Sequence, residues 1–521
     1  MNRFFAMIAT LVALVFAPAA QASDWYLAET ENFRLYSYGD EDDTIGFAQD
    51  LERLDQAMRI LSGIGPASEP TPDYARLTIY RFGEASDMGE LLGVRSVGGF
   101  FIPRAGQSVG FVPRRADRVR GLGQRATGLE LDPQGVLFHE YAHYFMYAHA
   151  PAAYPMWFSE GFAEFFYTIE LEDDRFTIGQ PPPTRAYSLG RMRVDTEKMF
   201  NPDPADRRNG LESERTYGHG WLLSSHLLLA PDRRGQLDTY LRLLNQGTPS
   251  LEAAETAFGD LGDLDDELES YRRSAARLVS IPYYDESEPA VTIRMLDEGE
   301  ASVMRMVIRS KAGVTEDMAA DQVNDARRAI GRYPDNVAVL MAATEVEFDA
   351  GNIDEAEVLA QHALELDPQQ IGAAVYLGDI SLRRAADDPE QYSVARRRYL
   401  AANAIDATNP RPLAGFYLTY VLAGETPTEN AALALETAFA EAPYDTSLRQ
   451  ALGHLLLTED RDPEAYVVMT PTINNPHNTA GLALRDLFDS DDPADRAELL
   501  GKLQPRPYGY EPPEDEDGDD D

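Results

Sequence analysis

The stretch LFHEYAHYFMYAH, Leu137 to His149, sets the reading of the first half of this chain. It is apolar and free of proline, and it places His139 and His143 four residues apart, so that on a helix both imidazoles share one face. Two imidazoles at that spacing reach one ion from a single rigid element, and Glu140, one position along, can face a water in the open coordination position. Seventeen residues after His143 comes Glu160, within PMWFSEGFAEFF (Pro155 to Phe166), where Glu160 and Glu164 are again four apart in a helical context. A second helix running back beside the first would deliver Glu160 to the ion, completing His₂Glu with water as fourth ligand, and would bring Glu164 near a ligand imidazole. Zinc is the ion expected from these ligand types, although His₂Glu suits other divalent ions too, and the chemistry is metal-assisted hydrolysis with Glu140 as general base.

Working outward, residues 23 to about 180 alternate strand-like and helix-like patterns. Phe33, Leu35 and Tyr36 lie in a strand-like stretch, and Ile45, Phe47, Ala48, Leu51, Leu54, Met58 and Leu61 recur at helical spacing. Ala75 to Phe82 reads as a further strand, and Gly98 to Pro113 as a hairpin turning near Ala105 to Gln107. The order predicts an α+β domain, 23–285, with a helical second half that includes Gly220 to Leu229 and Leu251 to Leu278. Residues 286–315 read as a linker or a short strand pair formed by Val291 to Leu296 and Met304 to Ile308.

Beyond residue 315 the period changes. Pro334, Pro368, Pro410, Pro443 and Pro476, spaced 34, 42, 33 and 33, are read as closing successive helical pairs, with the excess of the second unit placed in a loop at Arg384 to Gln391. The unit from Asn336 to Pro368 carries Ala342, Ala343, a Gly351-Asn352 turn and Ala356, small residues that let helices approach closely. This matches the tetratricopeptide pattern of about 34 residues, two antiparallel helices per unit, and predicts an all-α solenoid over 316–480 with a C-terminal cap at 481–508. An ordinary helical bundle is the competing reading.

Composition bounds the rest. At 521 residues the chain exceeds one core and suggests two or three units. Residues 1–22, MNRFFAMIATLVALVFAPAAQA, combine Arg3, a short apolar run and small residues at Ala20 and Ala22, the pattern of a secretory signal cleaved after Ala22. The expected destination is the periplasm or the exterior, with no stable membrane insertion after cleavage. The chain has no cysteine, which rules out disulfides, a cysteine nucleophile and thiolate zinc sites. Its net charge of −42, with lysine only at 198, 311 and 502, makes nucleic acid a poor partner. The acidic end, 509–521, reads as a disordered solubilising tail.

HEYAH followed by WFSEGFAEFF resembles the gluzincin metallopeptidases, both aminopeptidase-N-like enzymes and the peptidase-MA-like domains found in exported bacterial proteins with tetratricopeptide repeats. The resemblance covers roughly residues 23–285 and is specific in these two motifs. It implies that Glu160, rather than Glu164, is the third ligand of one zinc ion, and that Glu164 hydrogen-bonds His139 and holds it in its metal-binding tautomer. It also implies an oxyanion donor from the helical half, for which TYGHGWLLSSH offers Tyr217 and, less well placed, His219. The aminopeptidase G-x-M-E-N strand is absent, since Gly98 to Gly110 contains no acid, so an endopeptidase follows more naturally. Ser108 to Val112 is the expected substrate-pairing edge strand. His149 and His226 read as surface or core residues, and His362, His454 and His477 lie in the repeats.

The expected partner of the site is a protein or peptide substrate, with the repeats recruiting that substrate or a protein partner. The rival expectations are an inactive envelope scaffold working through its repeats, and hydrolysis of a non-protein amide such as cell-wall peptide.

Overall fold

A computed structural model describes residues 24–506 except 68–69, 95–96, 116–131, 203–210, 274–277, 476–477 and 491. The expected signal, the acidic tail, Pro476 and His477 lie outside the described residues. The chain is mostly helical, with a small sheet near the amino terminus and a helical-repeat second half.

The sheet has six strands in the order β4-β5-β3-β2-β1-β9. These are β1 Trp25–Glu29, β2 Phe33–Tyr38, β3 Leu77–Phe82, β4 Phe100–Ile102, β5 Val109–Pro113 and β9 Thr292–Met295. Strands β2, β3 and β5 run parallel, whereas β4, β1 and β9 each pair antiparallel with their neighbours. Alternation along β2 sends Phe33 and Leu35 to the larger core, under the helices α1 (Glu41–Leu61) and α3 (Pro133–His149). Tyr36 points the other way and opens a stacked row, Tyr36, Tyr80, Phe111 and Phe100, whose successive ring centroids are 5.3, 5.5 and 4.7 Å apart. That face is closed by α2 (Ala85–Leu91) and by Met304 and Ile308.

Two expectations are corrected here. The segment Ser108 to Val112 is not an edge, because β5 is hydrogen-bonded on both sides and β4 takes the edge. Residues 286–315 form neither a strand pair nor a linker. Thr292–Met295 pairs with β1, and Met304 to Ile308 lies within a helix, Glu298–Ala312. That helix, capped by Asp297 and Glu300, uses its two faces for two cores: Met304 and Ile308 meet the sheet, Val303 and Met306 meet the repeats.

After α4 (Met156–Tyr167) the chain adds a three-stranded sheet of β6 (Glu170–Leu171), β7 (Arg175–Ile178) and β8 (Val279–Pro282), and the helices α5 (Gly220–Leu229), α6 (Gln236–Asn245), α7 (Ser250–Phe258) and α8 (Leu261–Arg273). The predicted helix Leu251 to Leu278 is two helices, α7 and α8, broken at Gly259, and residues 274–277 at its end lie outside the described residues. Helix α5 packs against α4 almost backbone to backbone: a Cβ on Gly161 would lie 2.4 Å from the Gly220 carbonyl.

With the Glu298–Ala312 helix as α9 and Val323–Arg332 as α10, the repeat pairs are α11–α12 (Val337–Asp349, Ile353–Leu366), α13–α14 (Ile371–Arg384, Gln391–Ile405), α15–α16 (Pro410–Leu422, Glu429–Glu441) and α17–α18 (Thr446–Thr458, Asp462–Ile473). A further pair, α19–α20 (Thr479–Phe488, Pro493–Leu503), seats Leu499 and Leu503 in the last core. Pro410 opens α15 at its first turn instead of closing α14, because a proline lacks only an N–H that the helix start leaves unused. No helix among the described residues is long and apolar enough to cross a membrane.

The array folds back on the amino-terminal half. The β4–β5 turn lies against its helices: Arg104 Nη2 donates to the Lys311 carbonyl at 2.6 Å, and the Ala105 amide donates to Asp445 Oδ2 at 2.7 Å. Gly106, at φ +84°, lets Arg411 pass so closely that a Cβ would sit 2.5 Å from its Cγ.

Candidate metal centre

Helix α3 starts where Asp132 accepts from the amides of Gln134 and Gly135, with Pro133 at the first turn, and it ends at Ala150 before Pro151. Its far side is fixed by α1. The buried Tyr141 hydroxyl donates to Asp55 Oδ1 at 2.7 Å, while Asp55 Oδ2 receives Arg59 Nε at 2.5 Å. Helix α4 begins after Pro155 and runs back along α3, so that Gly135 at the start of α3 meets Tyr167 at the end of α4. Antiparallel packing therefore matches the earlier histidine with the later carboxylate.

His139, His143 and Glu160 converge, each offering one ligand atom, all within 4.8 Å of one another. Glu160 Oε2 lies 3.3 Å from His139 Nε2 and 3.6 Å from His143 Nε2, yet it makes no aligned hydrogen bond. Ligand bonds of about 2.0–2.1 Å in a tetrahedron place neighbouring donors about 3.3–3.4 Å apart, which is close to the spacing of these atoms. A buried carboxylate oxygen without a donor, facing two imidazole nitrogens, fits a divalent cation.

Burial alone would raise the Glu160 carboxyl, but contact with the two imidazoles brings it well below the ordinary range, so it is ionised at neutral pH. His139 is pulled down by burial and raised more strongly by Glu160, Glu164 and Glu140, for a net rise. Glu140 is raised, first by burial and then by Glu160, against the lowering effect of the two histidines. Tyr217 sits in a widened, π-helical turn at Arg215–His219 leading into α5, and its ring stacks 6.3 Å from that of His139. Burial and the Glu160 charge raise its pKa, so its hydroxyl stays protonated.

Glu164 Oε1 lies 3.6 Å from His139 Nδ1, an ion-pair distance longer than a hydrogen bond. The same oxygen accepts from Arg185 Nη2 at 2.5 Å, and that guanidinium covers the Tyr217 ring at 4.4 Å. Sequence reasoning missed Arg185, which sits on a short turn with no periodicity to mark it. It also missed Ser159, whose Oγ is 3.1 Å from His143 Nδ1; its place directly before Glu160 was the available signal.

The other histidines stay apart from the cluster. His219 Nε2 meets the Ser188 carbonyl at 3.2 Å, and burial lowers its pKa. His149 is exposed beside Arg59, His226 is bound to Glu267 at 2.7 Å, His362 faces Asp335 at 3.2 Å, and burial lowers the pKa of His454.

No protein-family model and no curated protein matches this chain. Among solved structures, a thermophilic TPR protein of Thermus thermophilus is similar at 18% identity over 39% of this chain and 98% of its own, with a TM-score of 0.29. So loose a superposition carries no argument; the repeat reading stands on the helix pairs themselves.

Proposed function

We propose that this chain is an exported zinc metallopeptidase of the gluzincin kind, cleaving within peptide chains. The observation that carries the reading is the Glu160 oxygen held 3.3 and 3.6 Å from the two Nε2 atoms of a His-Glu-x-x-His helix. His139, His143 and Glu160 would hold one zinc ion, which when bound would acidify a water and polarise the scissile carbonyl. Glu140 takes the proton of the attacking water and passes it to the leaving amine; its raised pKa brings it nearer the working pH of a general base. Tyr217, protonated and beside Glu160, is the candidate donor to the oxyanion.

Endopeptidase action is supported by β4. Phe101 packs on Tyr144 at 4.9 Å and Gly99 approaches Val136, so this edge strand runs along the ligand-bearing stretch of α3, where a substrate strand can add to it. The cleavable signal read in residues 1–22 supports export to the periplasm or beyond. Zinc content and cleavage of a denatured-protein or peptide library test the proposal. Wild type should hold one zinc and cleave, Glu140→Ala should keep zinc and stop cleaving, and Glu160→Ala should lose metal affinity. Wild-type protein that binds no metal, or binds it and cleaves nothing, would favour the scaffold alternative.

A further inference from the structure

Strand β4 is three residues long and pairs on one side only, Phe100 with Phe111, Phe101 with Gly110 and Ile102 with Val109. So short an edge has few hydrogen bonds of its own and opens easily unless its ends are held. At its start Gly99 lies against α3, where a Cβ would come 3.3 Å from Val136 Cγ1. Its other end runs into the turn at Arg104 to Gly106, and the repeat array holds that turn.

The hold is made at three places. Arg104 Nη2 donates to the Lys311 carbonyl at 2.6 Å, at the end of α9. Arg411, at the start of α15, lies against Gly106 and is fixed by Asp379 at 2.7 Å. Asp445 joins the turn to α17: Oδ2 accepts from the Ala105 amide at 2.7 Å, while Oδ1 accepts from the amides of Ser447 and Leu448 at 2.8 and 3.0 Å. Ala105 and Asp445 are each only 3% exposed, and Ala105 belongs to the core of the last repeats. One carboxyl group therefore caps a repeat helix and anchors the hairpin at once. The residue before it, Tyr444, sets its ring edge-on to Tyr144 at 5.6 Å, and Tyr144 carries Phe101 of β4 at 4.9 Å. Strand β4 is thus fixed both to α3, which bears His139 and His143, and to the array.

We infer that the repeat array braces β4 as the substrate-pairing strand beside the candidate metal centre, with Asp445 as the positioning residue. The inference deepens the peptidase reading proposed above and rests on it. At the start of α15 and of α17 the array's surface is taken by the chain's own hairpin, so there it serves the site rather than an outside partner.

Asp445→Asn tests this in the full-length protein. Asparagine caps a helix as well as aspartate does, but it has a single oxygen, so serving α17 turns its NH₂ toward the Ala105 N–H. Hydrogen exchange followed by mass spectrometry reads the hairpin. Steady-state cleavage of a long peptide that can pair along β4, and of a short one that cannot, reads the use of the strand. Exchange over residues 98–113 should rise about 3–10-fold with α17 unchanged, and KM for the long peptide should rise about 3–10-fold. The kcat, the zinc content and the KM for the short peptide should stay at the wild-type level. Arg104→Met removes a second anchor without touching the cap of α17; it should act in the same direction, and it decides the matter if Asp445→Asn fails to fold. Wild-type values for either hairpin exchange or long-peptide KM overturn the inference and leave the peptidase reading standing. If wild-type protein holding zinc cleaves neither peptide nor anything in the library, the peptidase reading falls first and this inference with it, whatever the exchange shows.

Discussion

In the repeats, the buried Tyr399 ring of α14 lies in a slot between Gly378 of α13 and Gly415 of α15, where a Cβ on either glycine would come within 2.4 Å of it. The pair α4–α5 is closer still, with Gly161 and Gly220 in backbone contact. Both regions use small residues to bring helices together, but they bury different contents. The repeat slot holds one aromatic ring whose hydroxyl is satisfied by Asp379 at 2.7 Å, itself paired with Arg411 at 2.7 Å. Between α3 and α4, by contrast, the close packing traps Glu160 Oε2 and Glu164 Oε2 without hydrogen-bond donors. Unpaired buried carboxylate oxygens oppose folding, so the fold tolerates there what the repeat slot avoids, which is expected of a site built to hold a ligand.

The largest effect that probes this contrast is catalytic. Glu140→Gln should lower peptide cleavage by roughly 10²–10⁴-fold while zinc content stays at the wild-type level, as measured by steady-state kinetics beside elemental analysis. Next comes packing. Gly161→Ala drives a methyl into main-chain atoms, and Gly415→Ala drives one into the buried Tyr399 ring, which Gly378 holds from the other side. Denaturant unfolding should show a loss of about 2–3 kcal/mol for each.

The third probe is pH, on the repeat side. Asp349, half-buried beside Glu345, is raised to about 7, chiefly by burial and then by that neighbour's charge. Between its unfolded value of 3.8 and about 7 the folded chain keeps a proton that the unfolded chain releases, so stability falls as pH rises through that window and stays low above it. Asp349→Asn should therefore stabilise the protein more at pH 8 than at pH 5, by about 1–2 kcal/mol in thermal or denaturant unfolding. The smallest effect belongs to Arg185→Met, which frees Glu164 from its guanidinium and should weaken zinc by about 3–10-fold in chelator competition, with the fold retained.

The convergence of the candidate site was legible because its residues obey local rules. His139 and His143 are one helical turn apart, and Glu160 follows after a short connection, so helix periodicity alone places them on facing sides of an antiparallel pair. The repeats were legible for the same reason, as was the hairpin with its turn at Gly106. Strand order was not: β4 and β5 have the same apolar character, and only the pairing of β5 with β3 decides which of them is the edge. Met304 to Ile308 reads as a strand from its apolar run, but two cores on opposite faces make it a helix.

The sequence by itself determined the residue types of the candidate site, the spacing within each of its two helices and the helical repeat, because each depends on short-range pattern along the chain. Only the tertiary structure decided that Arg185 clamps Glu164, that β4 is the free edge, and that the repeats close over α3 and the β4–β5 turn. Those contacts join residues as far apart as Ala105 and Asp445, 340 positions along the chain, and such contacts are set by complementary shape and charge that no local pattern records.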